Sequence, residues 1–184
     1  STQFCTVIGN PVGHTLSPAI HNAAFEALNL DFVYLACQVS DVQGALAGMR
    51  ALGNFRGMSV TIPHKSEVIK HVDEVAEVDR RAGSVNTIVC EDGRLVGFST
   101  DGPGALKALM DSNVDVGNKK VLMLGAGGAT RAIAFTLAWQ ETLRELAILD
   151  IDEALLAGLT RDLSEGAKTP IRGQLFSEKS LAAE

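Results

Sequence analysis

Aromatic side chains are scarce in this sequence, and it carries no surplus of basic residues. Aromatics make up 5% of the 184 residues, and the formal net charge is -6, which argues against the basic surface that nucleic-acid binding requires. No apolar run approaches the length of a membrane span, and the N-terminus lacks the basic and apolar regions of a signal peptide. We therefore expect neither a nucleic-acid partner nor a membrane partner.

Cysteine is sparse as well. Cys5, Cys37 and Cys90 each lie in a predicted strand, and neither their odd number nor their spacing fits a metal site. They are typical of buried, reduced thiols in a cytoplasmic protein. We expect no bound metal, because no cluster of histidine, cysteine and acidic residues indicates one.

Glycine and aliphatic residues are what the sequence has in quantity. Eighteen glycines and 46% hydrophobic residues suit an α/β fold with aliphatic helices and glycine-rich turns. Apolar runs predict strands at residues 4–9, 32–39, 58–62, 84–90, 95–98, 119–124, 145–149 and 171–176. A polar break at residues 114–118, or the helix before it, marks a domain boundary.

Local signals place several helix starts and one hairpin. Ser17 before Pro18 predicts an N-cap followed by proline in the first helical position, and Asp41 predicts a second cap. Residues 67–82 carry helical patterning, with a break near Asp73. Asp92-Gly93 predicts the turn of a β-hairpin.

The stretch at residues 58–65 predicts a strand that runs into a helix starting at Pro63. Thr61 and Lys65 would then flank a strand-to-helix turn, which is where open α/β sheets place ligand groups. A lysine near a helix N-terminus faces the positive end of the helix dipole, which is a small indication of function. The simpler alternative is a solvated lysine in the first helical turn.

A nucleotide-binding turn is predicted at residues 125–131. Gly125 and Gly127 follow a strand and precede a helix from about Gly128, so backbone amides and the helix N-terminus can hold a pyrophosphate. Thr130 stands where a third glycine is usual. A glycine-rich turn without a ligand is the alternative.

Asp150 ends the strand after this helix, at the position that distinguishes the two nicotinamide cofactors. A carboxylate there can accept from a ribose 2′-hydroxyl and repels a 2′-phosphate, and Ile151 and Asp152 supply no cation. We therefore expect NAD to be preferred over NADP. Asp150 could also serve only to cap the following helix.

Small polar groups collect at predicted strand ends and turns in the first half of the chain. Such groups suit a polyhydroxylated small-molecule substrate, which needs many donors and acceptors on a rigid frame. Each also has a simpler structural role as a helix cap or strand-end residue. The group comprises Thr15, Ser17, Thr61, Lys65, Asn86, Thr100 and Asp101.

Six motifs together make the sequence resemble the shikimate dehydrogenase family over nearly its whole length. Their order and spacing match that family, and several of them are specific to it. They are Gly9-Asn10-Pro11, His14-Thr15-Leu16-Ser17-Pro18, Val60-Thr61-Ile62-Pro63-His64-Lys65, Gly83-Ser84-Val85-Asn86-Thr87, Thr100-Asp101-Gly102 and Gly125-Ala126-Gly127-Gly128-Ala129.

The resemblance implies a fold, an activity and a set of site residues. Residues 1–100 would form an α/β substrate domain, and residues 101–184 the first part of a Rossmann-type dinucleotide-binding domain. Lys65 and Asp101 would be the catalytic pair in the reversible reduction of 3-dehydroshikimate to shikimate. The substrate would be bound by Thr15, Ser17, Thr61 and Asn86, and the cofactor by Glu77, Gly125, Ala126, Gly127, Gly128, Ala129 and Asp150.

The sequence departs from the family pattern in a few places. Thr15 replaces a serine, Ser59 an asparagine and Ser84 an alanine, and an Asn-Arg-Thr segment is replaced by Asp150-Ile151-Asp152. Family members also continue for many more residues, so we expect this chain to be a C-terminally truncated form with poor activity. A quinate/shikimate dehydrogenase that uses NAD, and a non-catalytic polyol- or nucleotide-binding fragment, remain alternatives. The sequence leaves the oligomeric state open.

Overall fold

The structure is a computed structural model that describes residues 1–140 and 142–177. The chain forms two compact units, one of Ser1–Arg80 with Ser84–Ser99, the other of Arg81–Gly83 with the chain from Thr100 onward. The chain therefore enters the second unit for three residues, returns to the first, and leaves it again after Ser99.

A six-stranded mixed sheet forms the centre of the first unit, in the order β2-β1-β3-β5-β6-β4. Strand β1 is parallel to β2 and β3, whereas β5 is antiparallel to both β3 and β6. The strands are β1 (Gln3–Gly9), β2 (Phe32–Gln38), β3 (Phe55–Val60), β4 (Glu74–Val75), β5 (Thr87–Glu91) and β6 (Arg94–Phe98).

Three helices and one 3-10 turn accompany this sheet. They are α1 (Ser17–Ala27), α2 (Val42–Arg50), the 3-10 turn Glu67–Lys70 and α3 (Glu77–Ala82). The predicted cap of α2 is present, because the Asp41 carboxylate accepts from the Gly44 amide at 2.9 Å. Leu46 of α2 belongs to the same hydrophobic core cluster as Phe55, Ile8 and Ile88, and all four are almost fully buried.

The predicted hairpin joins β5 to β6. Asp92 and Gly93 both have positive φ angles, 50° and 76°, which is the backbone that a tight two-residue hairpin turn requires. The turn sets the register in which Glu91 pairs with Arg94. This part of the sequence-based prediction is confirmed.

Helix α1 differs from its prediction in two respects. Ser17 is the first helical residue rather than the N-cap, and the N-cap position belongs to Leu16, whose side chain makes no cap hydrogen bond. None of its residues is buried, and Ile20 remains 64% exposed, although the spacing of Ile20, Ala23 and Ala24 in the sequence predicts an apolar helix face.

The segment after β3 also departs from the prediction. Strand β3 ends at Val60, and Pro63 lies in a turn instead of starting a helix. The predicted helical stretch at residues 67–82 is divided into the 3-10 turn, β4 and α3. Lys65 therefore lies in a turn and not at a helix N-terminus.

The second unit alternates strands with helices. Its sheet is three-stranded and parallel in the order β7-β8-β9, which is Rossmann-type α/β architecture. The elements are α4 (Asp101–Asp111), β7 (Lys120–Leu124), α5 (Gly128–Gln140), β8 (Glu145–Asp150), α6 (Glu153–Ser164) and β9 (Ile171–Leu175). The α/β class expected from the sequence is confirmed.

The core of the second unit is aliphatic. Leu146, Ile148 and Leu149 of β8, together with Leu159 and Leu163 of α6, are each 1% exposed or less. Each such side chain contributes roughly 1.5–3 kcal/mol by leaving water. Within the described ranges, each helix falls short of the length and apolar character that a membrane span needs.

Candidate functional site

In the first unit, the carboxyl ends of β1 and β3 and the start of β5 lie side by side at the same end of these neighbouring strands. The Thr61 amide donates to the Ile8 carbonyl at 2.9 Å, and the Val60 amide donates to the Asn86 carbonyl at 2.7 Å. Thr61 and Asn86 therefore lie on adjacent strand ends, and both are half-buried. The structure thus brings together two of the residues assigned to the substrate.

Gly9 makes room for the side chain of Thr61. A Cβ atom at Gly9 would overlap the Thr61 methyl group and press on the Ile62 carbonyl oxygen. The glycine of the Gly9-Asn10-Pro11 motif is therefore needed so that Thr61 can occupy this position.

The turn that carries Lys65 is fixed on both sides by contacts from distant parts of the chain. His64, which is 7% exposed, hydrogen-bonds through its ring Nε2 to the Val39 carbonyl at 2.9 Å. The Lys65 carbonyl accepts from the Val85 amide at 2.9 Å, next to Asn86. Lys65, Thr61 and Asn86 therefore form one cluster of backbone-linked residues within the first unit.

Thr15 and Ser17 lie at the start of α1. Their hydroxyl oxygens are 3.1 Å apart, and the Thr15 Oγ1 also accepts from the Ser17 amide at 3.2 Å. Thr15 thus satisfies the amide of the first helical residue. The two hydroxyls therefore lie next to each other at the start of the helix.

A hydrogen-bonded pair that sequence reasoning missed joins β2 to β3, close to Thr61. The Tyr34 hydroxyl donates to the Ser59 Oγ at 2.6 Å, and the His21 ring stacks on Tyr34 with centroids 4.3 Å apart. Burial raises the pKa of Tyr34, although its bond to Ser59 opposes this. The signal was present in the sequence, because Ser59 replaces an asparagine of the family motif.

In the second unit, Asp101 begins α4, and the preceding Thr100 makes no side-chain cap bond. Gly102 allows this helix to approach α5 closely, since a Cβ there would overlap the Thr136 hydroxyl and the Ala132 carbonyl oxygen. Lys65 belongs to one unit and Asp101 to the other, so their pairing stays a prediction.

The predicted glycine turn joins β7 to α5. Gly125 has a φ of 94°, and its amide donates to the Leu149 carbonyl at 2.7 Å. A Cβ at Gly127 would meet nothing within 4 Å, so the space over this backbone is open. Gly128 and Ala129 are exposed at the N-terminus of α5, and Ala126 is buried. This arrangement of open backbone and helix amides fits a pyrophosphate.

Asp150 does not act as sequence reasoning assumed. Its carboxylate accepts from the Asp152 amide at 2.7 Å and from the Ala126 amide, and these bonds hold the pKa of Asp150 below its usual value. Asp152, not Asp150, caps α6 by accepting from the amides of Ala154 and Leu155. The Asp150 carboxylate therefore ties the glycine turn to the end of β8.

Glu77, assigned to the cofactor by resemblance, is the exposed first residue of α3. It belongs to the first unit, whereas the glycine turn belongs to the second. Its role in cofactor binding stays a prediction.

Comparison with known proteins gives consistent matches. A family model described as the shikimate dehydrogenase substrate binding domain matches residues 7–88. A shikimate dehydrogenase (NADP(+)) of Carboxydothermus hydrogenoformans is 48% identical over 155 residues, which are 83% of this chain and 55% of the relative. A protein of the same name from Bacillus mycoides is 45% identical over 183 residues, 98% of this chain and 61% of the relative.

The solved structures agree with the sequence relatives. The shikimate 5-dehydrogenase of Listeria monocytogenes, determined in complex with shikimate and NAD, superposes with a TM-score of 0.85 at 37% identity. The match covers 95% of this chain and 61% of that protein. The chain thus spans a little over half the length of the relatives that it matches.

The expected preference for NAD over NADP is wrong. The curated relatives at 48% and 45% identity are named as NADP(+) enzymes. The expectation treated the Asp150 carboxylate as ready to accept from a ribose hydroxyl. In the structure its oxygens accept hydrogen bonds from the main-chain amides of Ala126 and Asp152. The number of charged side chains at residues 150–152 therefore does not indicate which cofactor is bound.

Proposed function

The chain belongs to the shikimate dehydrogenase family, and on this premise we propose that the protein interconverts shikimate and 3-dehydroshikimate with NADP(+). The observation that carries the proposal is the cluster of residues at the carboxyl end of β3 in the first unit. There Thr61, Lys65 and Asn86 are joined through the backbone at the ends of β3 and β5. The relatives' names support the activity and the cofactor.

We assign substrate binding to the first unit and nucleotide binding to the second. The matched substrate-binding domain at residues 7–88 supports the first assignment, since all but three of these residues belong to that unit. The glycine turn supports the second. In the substrate unit, the hydroxyls of Thr15, Ser17 and Thr61 and the Asn86 amide would bind the ring hydroxyls and carboxylate.

Lys65 is our candidate for the group that moves the proton. Oxidation of the ring alcohol breaks a C–H bond and an O–H bond, and bound NADP(+) would supply the acceptor for the hydride. The proton of the O–H group must leave separately, and the Lys65 amine would receive it. In the reverse direction the ammonium returns it, with Asp101 orienting the amine.

The nucleotide would be held by main-chain groups of the glycine turn. Amides at the N-terminus of α5 would donate to the pyrophosphate, and the bare backbone at Gly127 would let it approach. Asp150 would keep the turn in register through Ala126. We place this activity in the cytoplasm, a location that the three free thiols support.

Replacing Lys65 tests the proposal. We expect Lys65→Ala to lower kcat by ~10²–10⁴-fold, as loss of one positioned acid/base group does, with the Kd for shikimate changed by only a few-fold. Steady-state rates with NADP(+) and NAD, for shikimate and for quinate, should be compared with calorimetric binding of shikimate.

Lys70→Ala is the matched control, because Lys70 is an exposed lysine of the same segment and is paired with Glu67 at 2.6 Å. It should keep the wild-type rate. A Lys65→Ala variant with unchanged kcat would remove Lys65 from the mechanism, and wild-type protein that turns over quinate but not shikimate would refute the substrate assignment.

A further inference from the structure

The last residues of α3 have an unusual place in the fold. Arg81–Gly83 cluster with the second unit, although the residues on both sides belong to the first. Ala82 is 1% exposed, and Gly83 has a φ of 66°, which ends the helix there. A three-residue segment that belongs to a different unit from its neighbours in the chain needs contacts that hold it in place.

Arg131 supplies the central contact. Its Nε donates to the Ala82 carbonyl at 2.7 Å, and its Nη2 donates to the Asp162 carboxylate of α6 at 2.7 Å. The guanidinium holds the pKa of Asp162 below its usual value. One side chain thus joins α5 to α6 and to the end of α3.

Arg81 makes a second set of contacts, in which the side chain belongs to the segment Arg81–Gly83 and the partners to the rest of the second unit. Its guanidinium lies 4.9 Å from the centre of the Trp139 ring of α5, and its Nη1 is 3.5 Å from the Glu165 carbonyl that follows α6. The contacts of Arg131 and those of Arg81 therefore both join the segment Arg81–Gly83 to the same part of the second unit, which is α5 together with α6 and the residue after it.

Arg131 is also the one cation of the glycine-rich stretch at residues 125–131, and its amide donates to the Gly127 carbonyl at 2.9 Å. From sequence alone it would be taken for a phosphate ligand. Its Nε and Nη2 are instead bound to a carbonyl and a carboxylate within the protein.

We propose that Arg131 is a positioning residue that fastens the first turn of α5 to Arg81–Gly83, so that nucleotide binding at the glycine turn and the order of this segment are coupled. The identity of the nucleotide rests on the proposed function, whereas the fastening itself does not. A guanidinium suits the task, because its planar fork can bind two acceptors at once, and a lysine ammonium is a single flexible point charge.

Hydrogen–deuterium exchange of residues 77–84 tests the fastening in the protein without ligand. We expect Arg131→Met to raise the exchange rate of this segment by about 5–150-fold, the usual range for coupling between two sites. Arg131→Lys should do the same to a smaller degree. Arg161→Met is the matched control, because Arg161 binds the same Asp162 carboxylate at 3.1 Å but is 71% exposed.

Addition of NADP(+) tests the coupling. In the wild type and in Arg161→Met, NADP(+) should slow exchange at residues 77–84, and in Arg131→Met this protection should be lost while NADP(+) binds more weakly in calorimetry. Weaker binding with unchanged exchange would identify Arg131 as a phosphate ligand and overturn the proposal. Unchanged exchange in both Arg131 variants would overturn it as well.

The same experiment separates the two proposals. If wild-type protein fails to bind NADP(+) but exchange still responds to the Arg131 variants, the proposed function fails and the fastening stands. If Arg131→Met does not fold, Arg131→Lys decides, since it keeps a cation beside Asp162 and loses only the forked contact.

Discussion

Ser84 carries a buried hydroxyl that finds no hydrogen-bond partner among the described residues. The residue is 1% exposed, so its oxygen has left water without compensation. An unsatisfied buried polar group of this kind costs ~1–3 kcal/mol. Alanine stands at this position in the family pattern that the sequence resembles.

We expect Ser84→Ala to raise the free energy of unfolding by about 1–3 kcal/mol for this reason. Urea titration followed by circular dichroism would measure the change. Ser66→Ala, at an exposed serine without a cap bond, should stay within about 0.5 kcal/mol of the wild type. Destabilisation by Ser84→Ala would mean that its hydroxyl has a bonding partner, such as an ordered water.

Gly9 gives a prediction about the site. Gly9→Ala should displace Thr61, because the new methyl group would overlap the Thr61 side chain. A misplacement of about 1 Å can cost up to ~10²-fold in rate, so we expect a loss of that order in kcat/KM for shikimate.

Steady-state assays would check the Gly9 prediction. Gly53→Ala is a suitable control, since a Cβ at Gly53 would meet nothing within 4 Å. Equal kcat/KM for Gly9→Ala and wild type would show that Thr61 has room to adjust.

The packing of α4 on α5 depends on Gly102. Gly102→Ala would place a methyl group on the Thr136 hydroxyl and the Ala132 carbonyl, so the helices must separate. Overpacking costs about 1–3 kcal/mol, more than the ~1 kcal/mol that alanine gains over glycine within a helix. We expect net destabilisation, measurable as a lower urea midpoint.

Gly104 of the same helix provides the comparison. A Cβ there would meet nothing within 4 Å, so Gly104→Ala should raise the midpoint through helix propensity alone. If both variants shifted the midpoint in the same direction, the close approach at Gly102 would not be limiting.

The elements that sequence predicted well are those fixed by local chemistry. Asp92 and Gly93 favour a tight hairpin turn, and the Asp41 carboxylate accepts a hydrogen bond from the first turn of α2. Gly125 adopts a positive φ angle that residues with a side chain rarely adopt. The failure around Lys65 involves contacts from distant residues. The turn around Lys65 is set by His64 on Val39 and by Val85, and neither contact can be deduced from the neighbouring sequence.

The candidate site divides in the same way. The sequence pattern places Thr61 and Asn86 near strand termini, and they come together because β3 and β5 pair in antiparallel fashion, so that the end of β3 lies beside the start of β5. The Tyr34–Ser59 pair and the amide contacts of Asp150 depend on side-chain directions that only the folded structure fixes. The prediction of NAD from the charge of Asp150 was wrong because it did not include these amide contacts.

At the scale of the molecule, acidity should weaken the fold. Hydrogen bonds in the folded state lower the pKa of Glu67, Asp73, Glu145, Asp150 and Asp162. The unfolded chain therefore binds more protons than the folded one below about pH 4, the ordinary carboxyl range. The stabilisation is complete above that range and is lost as pH falls through the folded-state pKa values.

Urea midpoints between pH 7 and pH 3 would measure this loss, and Asp162→Asn should make it less steep. Asp79 provides a control of opposite sign, because burial raises its pKa despite a hydrogen bond from the Ser99 amide. Its protonation favours the folded state, so Asp79→Asn should make the loss steeper. A midpoint independent of pH would show that these carboxylates are equally well solvated in both states.

The three-residue excursion at Arg81–Gly83 also constrains the order of events during synthesis. Strand β4 precedes this segment, yet its sheet partner β6 follows it, so the first sheet closes only after both crossings have been made. Arg81–Gly83 leaves the ribosome long before Arg131 and Asp162 exist. During synthesis this stretch is therefore without its contacts to Arg131, Trp139 and Glu165 until the second unit has been made, and α5 and α6 must then dock on a segment whose two ends already belong to the first unit.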